Sequence, residues 1–229
     1  MTKPRRDRPP APKRRLYDQL ARIAKAAAAP SRLELLELLA QGERTVEVLA
    51  REAGLSVANA SHHLQSLRQA RLVEARKEGL FVHYRLAGLE VYQLVLLLRG
   101  LAERRLKEVD QLVAEFFTSR DQFEPVPREE LLARSRAGAV TVLDVRPREE
   151  YRAGHIPGAL SVPLEDLEQQ IAALPPGREV VAYCRGPYCV LAFEAVERLR
   201  QMGHRARRLE DGFPEWRAAG LPVSTEEAA

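Results

Sequence analysis

An apolar run that stops at a cysteine is the feature that most constrains this chain. Val180–Tyr183 has the composition of a buried strand, and Cys184 follows it directly. A short loop with Gly186 and Pro187 comes next, and a helical pattern begins at Val190. In an α/β sheet, ligands bind at the carboxyl ends of the strands, where a helix N-terminus also favours negative charge. The pattern therefore predicts that Cys184 is a reactive sulfur of low pKa, in preference to a small core residue.

Three more motifs surround this loop in the second half of the chain. Val140–Arg146 is VTVLDVR, Gly154–Ala159 is GHIPGA, and Asp211–Trp216 is DGFPEW. In this order around a cysteine loop, they resemble the rhodanese (sulfurtransferase) family over about residues 125–223. The strands of a parallel sheet are expected at Val140–Val145, Leu160–Val162, Val180–Tyr183 and Ala206–Leu209.

The resemblance implies roles for individual residues. Cys184 matches the cysteine that, in that family, accepts a sulfane sulfur as a persulfide. Asp144 and Arg146 are expected to hold the surrounding loops in place, so their expected role is structural more than catalytic. Five backbone amides are expected to cradle the sulfur, those of Arg185, Gly186, Tyr188, Cys189 and Val190.

Two further positions of the loop, Cys189 and Val190, bear on its chemistry. Cys189 could resolve a persulfide or sulfenate at Cys184 into a bridge, or it could be a small apolar residue that starts the helix, and both remain open. Phosphatase-like relatives carry an arginine six residues after the cysteine, where this chain has Val190. A valine cannot pair with an oxyanion, so phosphoryl transfer is not expected.

The two halves of the chain carry opposite charge. Residues 1–120 contain 22 Lys and Arg against 14 Asp and Glu, and residues 121–229 contain 14 against 18. This asymmetry predicts that only the first half meets a polyanion. No apolar run approaches the roughly 18 residues of a membrane helix, and the basic, proline-rich start has no apolar segment, so no signal peptide is expected there. Two cysteines in one loop make no disulfide framework, so the protein is expected in the cytoplasm.

Helical periodicity and capping residues predict a helix-turn-helix in the first half. Leu16–Ala27 places apolar residues on one face, and Pro30 is expected to end this helix. Ser31–Glu34 has the pattern of a capping box for the second helix. Thr45 can cap a third helix and Ser56 a fourth, with a glycine-containing turn between them.

The fourth helix has the composition of a helix that lies in a DNA groove. Its opposite face carries Asn59, His62 and Gln65, with Ser61 and Arg68 on the flanks and almost no acid, which suits the major groove. The inward face is expected to consist of Val57, Ala60, Leu64 and Leu67.

A hairpin follows the fourth helix. Leu72–Arg76 and Leu80–Leu86 alternate as strands do about a Lys-Glu-Gly turn, and its basic residues are placed to grip phosphate as a wing. With Ala29–Leu36, Ser61–Arg68 and Arg71–Val73, the hairpin resembles ArsR-type winged-helix repressors. The resemblance implies a homodimer that binds an inverted repeat in double-stranded operator DNA. The residues expected on bases are Ser56, Asn59, Ser61, His62 and Gln65, and those expected on the backbone are Arg76, Lys77 and Arg85.

The last helix of the first half bears on dimerisation and on metal binding. Leu89–Phe117 predicts one long helix whose apolar stripe forms a dimer seam with the first helix. Many ArsR-type members sense metals through cysteines on the third helix or Asp/His clusters on the last one. Here residues 46–53 contain no cysteine and residues 88–120 no histidine, so neither a metal nor a cofactor is expected.

We therefore expect a mainly α winged helix-turn-helix with a β-hairpin wing, followed by an α/β rhodanese-like parallel sheet. The expected function is a DNA-binding repressor whose cysteine responds to thiosulfate, a persulfide or polysulfide. No association with a membrane is expected. The alternative is a sulfurtransferase whose DNA-binding half serves localisation or dimerisation. The expected boundaries are a disordered basic arm (1–15), the DNA-binding and dimerisation domain (16–120), a linker (121–127), the rhodanese domain (128–223) and a tail (224–229).

Overall fold

A computed structural model describes residues 11–116, 125–171 and 177–226. The first domain contains α1 (Pro12–Ala27), α2 (Pro30–Ala40), β1 (Arg44–Thr45), α3 (Val46–Glu52), α4 (Val57–Gln69), β2 (Val73–Glu78), β3 (Phe81–Leu86), α5 (Leu89–Arg105) and α6 (Lys107–Phe116). β3 lies between β1 and β2 in an antiparallel sheet. The helix pair α3–α4 and the hairpin β2–β3 form the predicted winged helix-turn-helix.

Side-chain caps determine where the helices of this pair begin, as the sequence predicts. Thr45 Oγ1 accepts a hydrogen bond from the Val48 amide at 3.4 Å, and Ser56 Oγ accepts one from the Asn59 amide at 3.2 Å. Each cap satisfies an amide that a helix N-terminus leaves free, which contributes about 1 kcal/mol. Gly54, with φ of 62°, makes the left-handed turn between the helices.

The starts of the first two helices differ from the prediction. α1 begins at Pro12, so the last residues of the expected disordered arm are helical, while residues 1–10 lie outside the described chain. Pro30 begins α2 instead of ending α1, because a proline at the first helical position gives up no hydrogen bond. Ala29 is therefore the N-cap, and the capping box predicted from Ser31 does not form.

The inward face of α4 is buried apart from its first residue. Ala60, Leu64 and Leu67 are fully buried, whereas Val57 is 47% exposed, contrary to the prediction. Val57 is the first residue of α4, and its side chain lies at the edge of the core.

The long helix predicted over residues 89–117 is interrupted. Leu106 adopts an extended conformation (φ −110°, ψ 107°) between α5 and α6, and residue 117 lies outside the described residues. The local charges suit a break, since two arginines occupy the last turn of α5 and two acids the first turn of α6. Such charges stabilise helix ends by about 0.3–1 kcal/mol each. Within the described ranges, no helix is long and apolar enough to cross a membrane.

The second domain is a parallel sheet covered by helices. It contains α7 (Arg128–Arg136), β4 (Val140–Asp144), α8 (Arg148–Ala153), β5 (Leu160–Ser161), a 3-10 turn (Leu164–Asp166), α9 (Leu167–Gln170), β6 (Glu179–Tyr183), α10 (Val190–Gln201), β7 (Ala206–Arg208) and α11 (Phe213–Ala218). The strand order is β5-β4-β6-β7, with all neighbours parallel. β4 and β6 are central and buried, as their apolar runs predict, and their carboxyl ends meet at Asp144 and Tyr183.

Both ends of the second domain extend past the expected boundaries. Val126, expected in the linker, is fully buried and pairs with Leu209. Ser224, expected in the tail, pairs with His155. These contacts add the flanking residues to the folded domain; the start of the expected linker and the end of the tail lie outside the described residues.

Candidate functional site

The two cysteines occupy the two ends of one tight loop. Cys184 directly follows β6 and is 1% exposed, while Cys189 is half-buried and is the N-cap of α10. The Cys184 thiol lies 3.7 Å from the Gly186 carbonyl oxygen and 3.5 Å from that of Cys189. Phe213 donates its amide to the Cys184 carbonyl at 3.0 Å, which holds the strand end in place.

The two thiols differ in acidity, in the opposite order to the prediction. Burial raises the pKa of Cys184 well above its ordinary value, and the neighbouring Cys189 side chain raises it further. The neighbouring Cys184 side chain lowers the pKa of Cys189 to about 6, with further stabilisation from the Arg185 and Leu191 amides and the Arg185 guanidinium. In this conformation burial therefore opposes the low pKa that the sequence predicts for Cys184.

The amides around the sulfurs match the predicted set in part. Those of Gly186 and Ala192 face Cys184, and those of Arg185 and Leu191 face Cys189. The Cys189 amide instead donates to the Gly186 carbonyl at 3.1 Å and closes the loop. Leu191 and Ala192 were not predicted, although the second and third residues of a helix carry free amides.

The other two members of the predicted cradle lie at the rim of the loop. The Tyr188 hydroxyl donates to Glu103 of α5, and its ring lies 5.6 Å from the Arg99 guanidinium carbon. Val190, the first residue of α10, is 40% exposed. Tyr188 thus connects the loop to the first domain.

Asp144 and Arg146 form a buried ion pair beside the loop. Arg146 Nη2 donates to Asp144 at 2.6 Å and to the Gly154 carbonyl at 2.7 Å, which ties the loop after α8 to the end of β4. Its Nη1 donates to Gln41 Oε1 at 3.1 Å, and Gln41 donates in turn to the Arg185 carbonyl at 3.1 Å. The pair therefore supports the cysteine loop and also contacts the first domain.

The Arg185 side chain connects the loop to the helix-turn-helix. Its Nε donates to Glu150 Oε1 at 2.9 Å, and its Nη2 donates to Glu52 Oε2 at 3.2 Å. Arg44 of the first domain contacts the same two acids, at 2.7 Å from Glu150 and 3.3 Å from Glu52. Two acids and two arginines, one of each from either domain, thus form a network (the Arg185 network) between the loop and the end of α3.

A second polar cluster joins α5 to α11. Glu215 is 3% exposed and accepts hydrogen bonds from Tyr92 at 2.8 Å and Arg99 at 2.7 Å. Its other oxygen accepts the Gly212 amide at 3.0 Å. Gly212 also approaches the cysteine loop, because a Cβ there would lie 2.3 Å from the Gly186 nitrogen. Through this cluster, α11 contacts both the cysteine loop and the first domain.

A cavity of about 270 Å³ lies between the domains at this loop. Glu34, Glu37 and Glu52 line it from the first domain, and Tyr188 and Cys189 from the second. Of the two described cysteines, Cys189 forms part of its wall and Cys184 does not.

The candidate nucleic-acid interface lies on α4 and the wing. Ser61 is half-buried on α4, and the other predicted contacts are exposed there, namely Ser56, Asn59, His62, Gln65 and Arg68. On the wing Lys77 is exposed, Arg76 pairs with Glu43 at 2.5 Å, and Arg85 pairs with Glu74 at 2.6 Å. Exposed pairs of this kind are weak and screened, so both guanidiniums can exchange a carboxylate for a phosphate.

Comparison with known proteins identifies both domains. A family model for bacterial regulatory proteins of the arsR family matches residues 29–75, and one for rhodanese-like domains matches residues 127–219. The HTH-type transcriptional regulator Rv0324 of Mycobacterium tuberculosis is 48% identical over 208 residues, which cover 91% of each chain. The chain is an ArsR-family transcriptional regulator with a rhodanese domain. Both predicted family resemblances are thereby confirmed.

Two further relatives each cover one domain of this ArsR-family regulator. A sulfurtransferase of Allochromatium vinosum is 33% identical over 89 residues, which are 38% of this chain and 81% of that protein. The solution structure of a homodimeric winged helix-turn-helix DNA-binding domain from Mycobacterium bovis is 44% identical, with a TM-score of 0.39. It covers 46% of this chain and 94% of that one.

Sequence reasoning missed the residues that join the ArsR domain to the rhodanese loop. Gln41, Glu52 and Glu150 are ordinary polar residues of helices and turns, and no local pattern marks them as partners of Arg185. A signal was present at Gly212, where the DGFPEW motif requires a residue without a side chain. Within the described chain, no group of three or more His, Cys, Asp or Glu residues is arranged to hold a metal ion.

Proposed function

We propose that this ArsR-family regulator is a homodimeric cytoplasmic repressor whose affinity for operator DNA depends on the sulfur state of Cys184. The position of Arg185 carries the proposal. Arg185 directly follows the cysteine, and its guanidinium contacts Glu52, the last residue of α3, at 3.2 Å. α3 packs on the recognition helix α4. Arg185 therefore connects the cysteine to the helix pair that would bind DNA.

Burial of the cysteine explains how a sulfur atom could alter this contact. Cys184 is 1% exposed, and protein interiors leave few voids as large as an atom. An added sulfur would displace the loop, and the thiol proton shared with the Gly186 and Cys189 carbonyls would be lost. The Arg185 contact with α3 would then change, which shifts the balance between conformations of the ArsR domain.

Exposed side chains support the DNA-bound dimer. The uncovered polar face of α4 and the basic wing suit a major groove and its flanking phosphates. Leu16 and Leu20 of α1 are 60% and 56% exposed, and Leu97 and Leu101 of α5 are 64% and 50% exposed. A second copy could bury these apolar faces, at roughly 25 cal/mol per Å². Both cysteines are free thiols, which suits a reducing compartment.

The second candidate function is a sulfurtransferase whose ArsR domain serves localisation or dimerisation. The name of the Allochromatium vinosum relative favours it. Turnover requires a sulfur-loaded cysteine to meet an acceptor, and the burial of Cys184 disfavours that encounter in this conformation. Thiosulfate, a persulfide or polysulfide remains the expected donor under either function.

Fluorescence anisotropy of the full-length protein on DNA from its own promoter tests the proposal. Polysulfide is expected to change the Kd at least about tenfold, or 1.4 kcal/mol, in the wild type and to leave Cys184→Ser unchanged. Mass spectrometry on the same samples verifies that sulfur was taken up. An unchanged Kd in fully persulfidated wild type, with turnover of thiosulfate and cyanide, would instead establish the sulfurtransferase.

A further inference from the structure

The two cysteines differ in their access to the space between the domains. Cys184 is 1% exposed, and its thiol is engaged with loop carbonyls. Cys189 is half-buried and forms part of the wall of the 270 Å³ cavity. Of the two cysteines, only Cys189 therefore borders the space that a small molecule could occupy.

We infer that Cys189 is the first acceptor of sulfur from a small amine-bearing persulfide, in a pocket shared by the two domains, and that Cys184 receives the sulfur from it. The inference rests on the proposed function and gives its sulfur donor a chemical class and an access route.

The surroundings of Cys189 suit a nucleophile. It is the N-cap of the twelve-residue helix α10, where free amides and the helix dipole favour an anion. The neighbouring Cys184 side chain, together with the Arg185 and Leu191 amides, lowers the pKa of Cys189 to about 6. A lowered pKa favours the thiolate form, which is the form that attacks a sulfane sulfur.

The chemistry balances without an external oxidant. The Cys189 thiolate attacks the outer sulfur of R–S–S–H. A new S–S bond forms on Cys189 as the S–S bond of the donor breaks, and R–S⁻ leaves and takes a proton from solvent. Cys184 then attacks the same outer sulfur, and its proton passes to the departing Cys189 sulfur. In this second step the sulfane sulfur moves from Cys189 to Cys184 and a proton moves from Cys184 to Cys189. The step therefore involves no net oxidation.

The charges of the pocket select the class of donor. Glu34, Glu37 and Glu52 line it, and its two arginines are already paired, Arg99 with Glu215 at 2.7 Å and Arg185 with Glu52 and Glu150. A dianion such as thiosulfate would meet an excess of carboxylates there.

Glu37 is a carboxylate of this pocket without a close cation among the described residues. Its ion-pair contact with Arg99 is long, at 4.0 Å, and burial raises the pKa of Glu37. A donor ammonium beside Glu37 would supply the missing positive charge. A cavity of about 270 Å³ limits the donor to a small molecule such as an amino-acid persulfide.

The sequence allows the two cysteines to be followed separately. Trypsin cleaves after Arg185, which leaves Cys184 on the peptide 179–185 and Cys189 on the peptide 186–198. Full-length wild type is mixed with cysteine persulfide, trapped with iodoacetamide at increasing times, and digested. We expect the mass of one added sulfur to appear first on peptide 186–198. First appearance on peptide 179–185 would overturn the inference.

Single-cysteine variants give an independent measure. Cys184→Ser, which keeps a hydroxyl donor to Cys189, is expected to take up sulfur at nearly the wild-type rate, and Cys189→Ser at least about tenfold more slowly. Thermal unfolding and sulfur-free DNA affinity verify that both variants fold. Loading of folded Cys189→Ser at the wild-type rate would show that Cys184 meets the donor directly, which overturns the inference.

The donor class is tested in the Cys184→Ser protein. Cysteine persulfide is expected to react at least about tenfold faster than N-acetylcysteine persulfide, which lacks the ammonium, and than thiosulfate. Glu37→Gln should remove this preference, and the exposed control Glu108→Gln should keep it. Equal rates for the two persulfides in Cys184→Ser would overturn the amine-bearing class.

Failure of the inference and failure of the proposed function are distinguishable. A persulfide response of DNA affinity that survives in Cys189→Ser would overturn loading through Cys189 and leave the regulator intact. Loading of Cys189 first, with no change in DNA affinity, would support the inference and overturn the proposed regulation.

Discussion

Arg185→Ala removes the side chain that joins the cysteine loop to the helix-turn-helix. The guanidinium donates to Glu150 at 2.9 Å and to Glu52 at 3.2 Å, and Arg44 contacts the same two acids from the ArsR side. The substitution therefore deletes one of the two cations in the Arg185 network and leaves the other. We expect it to weaken the coupling between the domains while each domain keeps its own core.

The burial of these groups sets the size of the effect. The side chains of Glu150, Glu52 and Arg185 are 0%, 16% and 27% exposed. Loss of one partner costs about 3–5 kcal/mol in a buried pair and about 0.2–1 kcal/mol in an exposed one. Because Arg44 still compensates Glu150, we expect an intermediate loss of about 2 kcal/mol, which lowers the Tm of a chain of this size by about 4–8 °C.

The single tryptophan allows the domains to be followed separately. Trp216 is fully buried in the rhodanese core, so its fluorescence reports that domain, whereas far-UV circular dichroism reports the helices, most of which belong to the ArsR domain. In the wild type the two thermal transitions are expected to coincide. In Arg185→Ala they are expected to separate by several degrees.

A matched control and a double variant make the test decisive. Arg148 pairs with Asp166 at 2.7 Å on an exposed surface of the rhodanese domain, so Arg148→Ala should cost less than about 1 kcal/mol and keep the transitions together. Arg185→Ala combined with Glu52→Gln should show a coupling free energy of about 1–2 kcal/mol. A coupling below about 0.3 kcal/mol, or coincident transitions in Arg185→Ala, would refute the role assigned to this side chain.

Three further predictions concern the loop, its acidity and DNA. Gly212→Ala places a Cβ 2.3 Å from the Gly186 nitrogen, so we expect a displaced loop and a loss of about 1–3 kcal/mol in thermal unfolding; an unchanged Tm would contradict this close packing. The pKa of Cys189 is lowered to about 6, so its alkylation rate should have a midpoint near that pH and not near about 8.5. Because this pKa is lower in the folded state, the thiolate contributes stability above about pH 8.5 that is lost as the pH falls through about 6, and the Tm difference between wild type and Cys189→Ser should shrink accordingly. Gln65→Ala should reduce discrimination between operator and scrambled DNA by about 1–3 kcal/mol, whereas Lys77→Ala should weaken both alike and lower the salt slope by about 1, as anisotropy titrations would show; indistinguishable effects would contradict the assignment.

Local patterns predicted the elements that depend on nearby residues. The caps at Thr45 and Ser56 form as expected, because each hydroxyl needs only an amide three residues ahead. The strands β4 and β6 follow from continuous apolar runs. Local reasoning failed where two local rules competed, as at Pro30, which can end one helix or begin the next, and at Leu106, where an apolar stripe continued across a break.

The sequence by itself determined that a winged helix precedes a parallel sheet, and that a cysteine lies at the end of a central strand. Only the tertiary structure decided that Cys184 is buried, which raises its pKa, and that Cys189 borders the cavity between the domains. It also decided the partners of Arg185. Glu52 is 133 residues away along the chain and Glu150 is 35 away, so these contacts depend on how two domains pack, which no local pattern encodes.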